Sequence, residues 1–185
     1  REITPDAIGP EAVRNLIVTR HLGSELPEAL TGLTSVAACQ PGVLGQTGIE
    51  SLALVKSAMQ TAQPDVVIVI DALAAAEPGR LFRTVQLTDT GIVPGSGVGN
   101  SRQEFSRRTL GVPVVAVGVP TVMDAATMAV DLTGADEPPE LPEPLFVTTR
   151  DVDQRVRELS RLMGYAVTLA LQPELEPEDI TGLLG

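Results

Sequence analysis

The amino-acid sequence predicts an α/β fold, a three-layer sandwich in which a mixed, mostly parallel sheet is covered by helices on both faces. Val66, Val67, Ile68, Val69 and Ile70 form an unbroken run of β-formers, the pattern of a strand buried on both sides. Residues 49–62 and 151–171 repeat their apolar positions with helical spacing, so strands and helices alternate along the chain. Hydrophobic residues make up 43% of the 185 residues but aromatics only 2%, so the core must be built from Val, Leu, Ile and Ala. The length fits one domain spanning residues 1–185 and suffices to bury a real core.

Taken in order, residues 10–16 read as a short helix, with turn chemistry at Thr4, Pro5 and Asp6 before it. Asp6 is thereby predicted in a loop or at the start of that helix. Residues 17–19 and 36–39 are short apolar runs that suit buried strands, and Pro41, Gly42, Gly45 and Gly48 mark the following connection as a loop. Ile49, Leu52, Ala53, Val55 and Met59 share one face of a helix for which Thr47 is an available cap. Pro64 and Asp65 stop it, and the strand that follows is expected to end at Asp71. Residues 84–87 and 114–119 give two more strands, and residues 121–132 a helix opened by Pro120 and Thr121. The proline-rich acidic stretch 134–144 is predicted to be a solvated loop. The last element is an amphipathic helix with Val152, Val156, Leu159, Met163 and Val167 on one stripe. No internal repeat is present.

A net charge of -11 opposes contact with nucleic acid, which requires clustered Lys and Arg, and equally with anionic membrane. The same charge would draw a basic protein substrate by long-range attraction. The single cysteine, Cys39, has no internal disulfide partner, so a reducing, cytoplasmic compartment is expected. It reads as a small buried hydrophobe. No uninterrupted apolar stretch reaches the ~18 residues of a transmembrane helix, and no basic-then-apolar leader is present. The chain opens at Arg1 rather than Met, which reads as a processed or truncated product.

Sites in doubly wound folds collect beyond the carboxyl ends of strands, which draws notice to Asp71. An Asp there is costly to ionise if buried, unless it has donors or a partner carboxyl with which to share a proton. The competing reading is a helix cap or a carboxylate that fixes a loop. Asp6 lies in ordinary turn composition, and spacing alone does not pair it with Asp71.

Six segments carry a larger pattern: TPDAIGP at 4–10, VTRHL at 18–22, PGVLGQTGIE at 41–50, PDVVIVIDALA at 64–74, DTGIVPGSGVGN at 89–100 and LGVPVVAVGVPTVMDAAT at 110–127. In this order they resemble the germination protease family over nearly the whole chain. The resemblance implies an atypical aspartic endopeptidase that degrades small acid-soluble spore proteins during germination, with no cofactor. It further implies a zymogen that removes its own N-terminal segment, a homotetramer in the bacterial spore core, and a fold similar to hydrogenase maturation peptidases. The family's essential aspartates map onto Asp6 and Asp71. Such a pair cannot doubly ionise cheaply, so one carboxyl keeps a proton while the other acts as general base on a water. Asp89, Gly91, Gly95, Ser96 and Gly97 form the loop expected to support the pair.

Relative to the family, the N-terminal propeptide and first strand region lie outside this chain, and Ala75 and Ala76 replace a Ser-Arg pair. The role of that arginine is either absent or taken by Arg80 or Arg83. Asp89-Thr90-Gly91 spells the triplet of pepsin-like proteases, but those are all-β, with the triplet duplicated or dimerised. The glycines that follow lack both the Gly-Lys-Ser/Thr ending and the G-x-G-x-x-G spacing of phosphate loops. Two alternatives stay open: a metal-binding module in which Asp6, Asp71 and His21 hold a divalent ion, and an inactive fragment.

Overall fold

The computed structural model describes residues 4–25, 32–99 and 102–184. A turn at Pro5–Ala7 leads into helix α1 (Ile8–Arg14). The short α2 (Leu44–Thr47) and the longer α3 (Ser51–Ala62) precede β1 (Val67–Ala75). The chain continues through β2 (Gln86–Thr88), α4 (Arg107–Leu110), β3 (Val114–Asp124) and α5 (Ala125–Thr133). It ends with β4 (Phe146–Val147), α6 (Val152–Leu171) and α7 (Pro177–Leu184).

Among the described residues the sheet has four strands in the order β1-β3-β2, with β4 also paired to β3. Only β1 and β3 run parallel; β2 and β4 both pair antiparallel to β3. The sheet is therefore mixed, and the expectation of a mostly parallel one is corrected. Short β2 and β4 return against the long β3 and need no helical crossover of their own.

Alternation along β1 divides the core. Ile68 and Ile70, with Val117 and Val119 of β3, pack with Ile8, Ala12, Val156 and Met163 of α1 and α6. Val67 and Val69, with Val114, pack instead with Leu52, Val55 and Met59 of α3 and with Phe105 and Leu110. Both faces of the central strands are thus covered, as their continuous apolar pattern requires. Each fully buried aliphatic side chain contributes roughly 1.5–3 kcal/mol relative to exposure.

Helix α6 docks where it does because of small and polar residues on its buried stripe. A Cβ on Gly164 would lie 2.5 Å from the Asn15 carbonyl oxygen, so glycine lets the end of α1 approach. The buried Ser160 donates to the Ile8 carbonyl at 3.0 Å, and Thr168 Oγ1 accepts from the Ile17 N–H at 3.2 Å. Just beyond α6, the buried Gln172 side chain clamps Thr34 by accepting from its N–H at 2.8 Å and donating to its carbonyl at 2.7 Å.

Three boundaries differ from expectation for physical reasons. First, β1 does not stop at Asp71 but runs to Ala75, because each of its residues from Val67 to Ala75 finds a partner on β3. Ladder pairing overrides the poor β-propensity of Asp. Second, Pro120 and Thr121 do not open a helix; β3 continues to Asp124, whose carboxylate caps α5 by accepting from the Thr127 N–H at 2.8 Å. The register slips between Leu73 and Ala74, leaving Thr121 as the extra residue of a bulge beside Pro120, where a missing N–H is tolerated. Third, residues 17–19 and 36–39 are irregular rather than strands, although Thr19 and Arg20 both donate backbone N–H groups to the Val36 carbonyl. In the second segment Val36 is buried while Cys39 is exposed, which corrects the reading of Cys39 as a buried hydrophobe. Its segment never joins the sheet and presents a single residue to the core. The acidic stretch 134–144 is irregular and the last long helix spans Val152–Leu171, both as expected. Among the described residues no helix is long and apolar enough to cross a membrane.

Candidate active site

Asp6 sits in the turn before α1, and Asp71 at the middle of β1. The turn is closed by the Ala7 N–H donating to the Thr4 carbonyl at 3.0 Å, and Pro5 supplies a fixed φ at its first position. The fully buried Ile8 and Ala12 anchor α1 in the core. Gly9 lets the helix reach the strand: a Cβ there would lie 2.5 Å from the carbonyl oxygen of Ile70, the residue before Asp71. The first turn of α1 is therefore pressed against the backbone of β1, and Asp6 is carried toward Asp71.

The electrostatics of Asp71 reflect its surroundings. Asp71 is half-buried, and its carboxyl is pushed up from an ordinary 3.8 to about 6. Burial is the largest cause, the nearby charge of Asp6 raises it further, and the Ala72 N–H beside the carboxylate opposes the rise. Asp6 itself is exposed. One carboxyl thus holds its proton to unusually high pH beside a second carboxyl that water reaches freely.

Opposite Asp71 in the β1–β3 register is Gly118. A Cβ at Gly118 would lie 2.3 Å from Leu73 Cδ1, so glycine makes room for the side chain two residues beyond Asp71. Gly9 and Gly118 lie outside the motif residues that point to a site. The available signal was a glycine inside an otherwise helical or strand pattern, which marks close backbone approach.

The loop after β2 folds back onto β1. Ile92 and Phe105 exchange backbone hydrogen bonds of 2.9 and 2.8 Å, and the Arg102 N–H donates to the Pro94 carbonyl at 2.9 Å. Its tip, a single turn at Ser96–Val98, reaches the sheet where a Cβ on Gly97 would lie 2.9 Å from the Ala74 Cβ. Gly95 adopts φ 73°, in the left-handed region that glycine tolerates. Gly91 is the tightest point, with φ 103° and a would-be Cβ 2.5 Å from the Phe105 carbonyl oxygen. Gly91→Ala is expected to lower stability by about 1–3 kcal/mol through clash and backbone strain. For a domain of this size that is a Tm lower by about 5 °C in a thermal melt. Ser96 and Asp89 are exposed, while the Thr88 and Thr90 hydroxyls on either side of Asp89 are 2.7 Å apart. Asn100, the last residue of that motif, lies outside the described residues.

Other candidates are not gathered here. His21 is exposed and lines a surface cleft with Val13, Leu16, Val18 and Arg20 that includes neither aspartate. Among the described residues, no three His, Cys, Asp or Glu side chains form a group able to hold a metal ion. Arg80 pairs with Glu77 at 3.5 Å on the surface, and Arg83 is exposed.

Fold and site together define an α/β protein in which Asp6 stands in the turn before α1, a helix packed against the parallel strand β1 that bears Asp71. The germination protease family model matches residues 1–134. A germination protease of Clostridium acetobutylicum is 41% identical over 211 residues, covering 96% of this chain and 64% of that protein. One from Clostridium tetani is 40% identical over 216 residues, covering 99% and 67% respectively. The Bacillus subtilis germination protease is 55% identical over 130 residues, which is 70% of this chain and 35% of that protein. This chain belongs to the germination protease family. It spans about two thirds of the length of the clostridial relatives.

Proposed function

We propose that this chain is the catalytic part of an aspartic-type endopeptidase that cleaves small acid-soluble spore proteins, with Asp6 and Asp71 as its working pair. The observation that carries the reading is the half-buried Asp71 carboxyl, pushed up to about 6 with the charge of Asp6 beside it. Perturbed carboxyl pairs of this kind are how one site supplies acid and base together. Asp71, with the raised pKa, is the member that keeps its proton, and Asp6 is the exposed member that water reaches.

Asp6 takes a proton from water as the oxygen adds to the scissile carbonyl, while the Asp71 carboxyl donates a hydrogen bond to the carbonyl oxygen. When the C–N bond breaks, the pair delivers a proton to the departing amine and is left with the single proton it began with. The loop bearing Asp89, Gly91, Gly95, Ser96 and Gly97 borders this site from the next strand and holds the substrate side of it in shape. In the same reading the protein matures by loss of its own N-terminal segment, assembles as a homotetramer in the spore core, and has a fold akin to hydrogenase maturation peptidases.

If Asp71 supplies the proton, cleavage is lost as pH rises through about 6, because ionised Asp71 has none to give. The check is kcat/KM of the mature full-length protein on a small acid-soluble spore protein between roughly pH 5 and 8. A decline of about tenfold per unit above the breakpoint is expected, since a single deprotonation controls that limb. A rate that stays flat over the interval overturns the assignment.

A further inference from the structure

We infer that Gln86 is a substrate-binding residue of this site, its carboxamide hydrogen-bonding the main chain of the polypeptide about three residues from the bond that is cleaved. The inference rests on the function proposed above, with Asp71 at the point of cleavage. Two registers place Gln86 there. Asp71 of β1 lies opposite Gly118 of β3, and Gly118 lies opposite Gln86 of β2. Residues directly opposite in a ladder turn their side chains to the same face of the sheet, so Asp71 and Gln86 share a face with a glycine between them. It is the face covered by α3 and Phe105, because Val67 and Val69, which alternate in step with Asp71, pack there. The loop that follows β2 lies on that face too, with Ile92 packed against the same cluster.

Between the two side chains lies an apolar floor. Gly118 has no Cβ, and Leu73 lies over it: a methyl added there would meet Leu73 Cδ1 at 2.3 Å and Cγ at 2.7 Å. Asp71 and Leu73 are half-buried and Gln86 is exposed, so the strip from carboxyl to carboxamide is open to solvent. Adjacent strands lie about 4.8 Å apart, which puts Gln86 about 10 Å from Asp71 across β3. An extended chain laid across the strands covers about 3.3 Å per residue, so about three residues span the interval. The Thr88 and Thr90 hydroxyls nearby bond each other, whereas the Gln86 carboxamide makes no hydrogen bond among the described residues. A peptide unit presents one N–H and one C=O, and a primary amide answers both with its own acceptor and donor. Residues 84–88 carry no charge, so what this strip reads is main chain rather than a charged side chain.

The test is kcat/KM of the mature full-length protein on a peptide spanning one cleavage site of a small acid-soluble spore protein. Gln86→Met keeps the length of the side chain and removes its hydrogen bonds. It should lower kcat/KM by about tenfold, chiefly through KM, with Tm and the pH profile unchanged. Two further peptides carry an ester in place of the peptide unit about three residues before, or about three residues after, the scissile bond, which removes one N–H. The wild type should cleave one of these esters about tenfold less well than the all-amide peptide, whereas Gln86→Met should cleave the two alike, because the bond that ester lacks is one the variant has already lost. An unaltered kcat/KM for Gln86→Met overturns the inference. So does a wild type indifferent to both esters, or a variant penalised by them as heavily as the wild type, since a residue that only supports the fold shows no coupling to a substrate N–H. Asp71→Asn is measured alongside: normal cleavage by that variant sinks the acid pair and leaves the Gln86 comparison readable, while uncoupled esters with an inactive Asp71→Asn sink the role of Gln86 alone.

Discussion

Asp71→Asn is expected to stop peptide-bond cleavage and, at pH 8, to make the protein more stable. Both effects come from one carboxyl. In the folded chain Asp71 is pushed up to about 6, chiefly by burial and then by the charge of Asp6, whereas in the unfolded chain it titrates near 3.8. The folded state therefore binds this proton more tightly, and the stability it confers is lost as pH rises from about 4 through about 6. Above that interval the fold carries a half-buried charge that the unfolded chain solvates freely. An Asn amide has the same shape and no charge, so the cost disappears; for a partly solvated site that is about 1–2 kcal/mol. The gain in Tm should be clear at pH 8 and should vanish near pH 4. The amide cannot deliver a proton, and the loss of cleavage should be at least about 10³-fold, within the range of general acid–base contributions. Wild-type cleavage by the folded variant, or an unchanged Tm at pH 8, would sink the assignment.

Gly9→Ala should reduce both stability and cleavage although it leaves both aspartates in place. In an exposed helix the exchange would stabilise by up to about 1 kcal/mol through propensity. Here the added methyl would lie 2.5 Å from the Ile70 carbonyl oxygen, a strand atom held by the β1–β3 ladder that cannot move aside as a side-chain tip can. Helix α1 must back away from β1, at a net cost of about 1–3 kcal/mol. Its displacement carries Asp6 away from Asp71, and a misplacement on the order of 1 Å costs about 10²-fold in rate. The distinguishing sign is electrostatic: with Asp6 withdrawn, the Asp71 carboxyl should titrate lower than in the wild type, as a ¹³C NMR titration reads directly. An Asp71 titration identical to wild type would show that α1 does not set the spacing of the pair.

The elements with strong periodicity were legible in the chain itself. The α6 stripe of Val156, Leu159 and Met163 and the α3 face of Leu52, Val55 and Met59 pack where their spacing predicts, and the run from Val67 to Ile70 is a strand covered on both sides. Short or irregular pieces were not. β4 and α7 have too few residues to show a period, and residues 17–19 and 36–39 look like strands because apolar composition does not reveal whether a ladder partner exists. The ends of β1 and β3 were misread because Asp71 and Pro120 are locally poor in strands, yet each strand holds the other in place.

What the sequence determined unaided was the α/β class, the building of its core from aliphatic residues, and membership of the germination protease family. What only the tertiary structure decided was that Asp6 influences Asp71 at all, that the sheet is mixed with one parallel pair, and which glycines make the approach possible. Periodicity is a property of neighbouring residues and is written locally. How near α1 brings Asp6 to Asp71 depends on how closely a helix can approach a strand remote in sequence, and at that contact an absent methyl group at Gly9 faces a backbone carbonyl at Ile70.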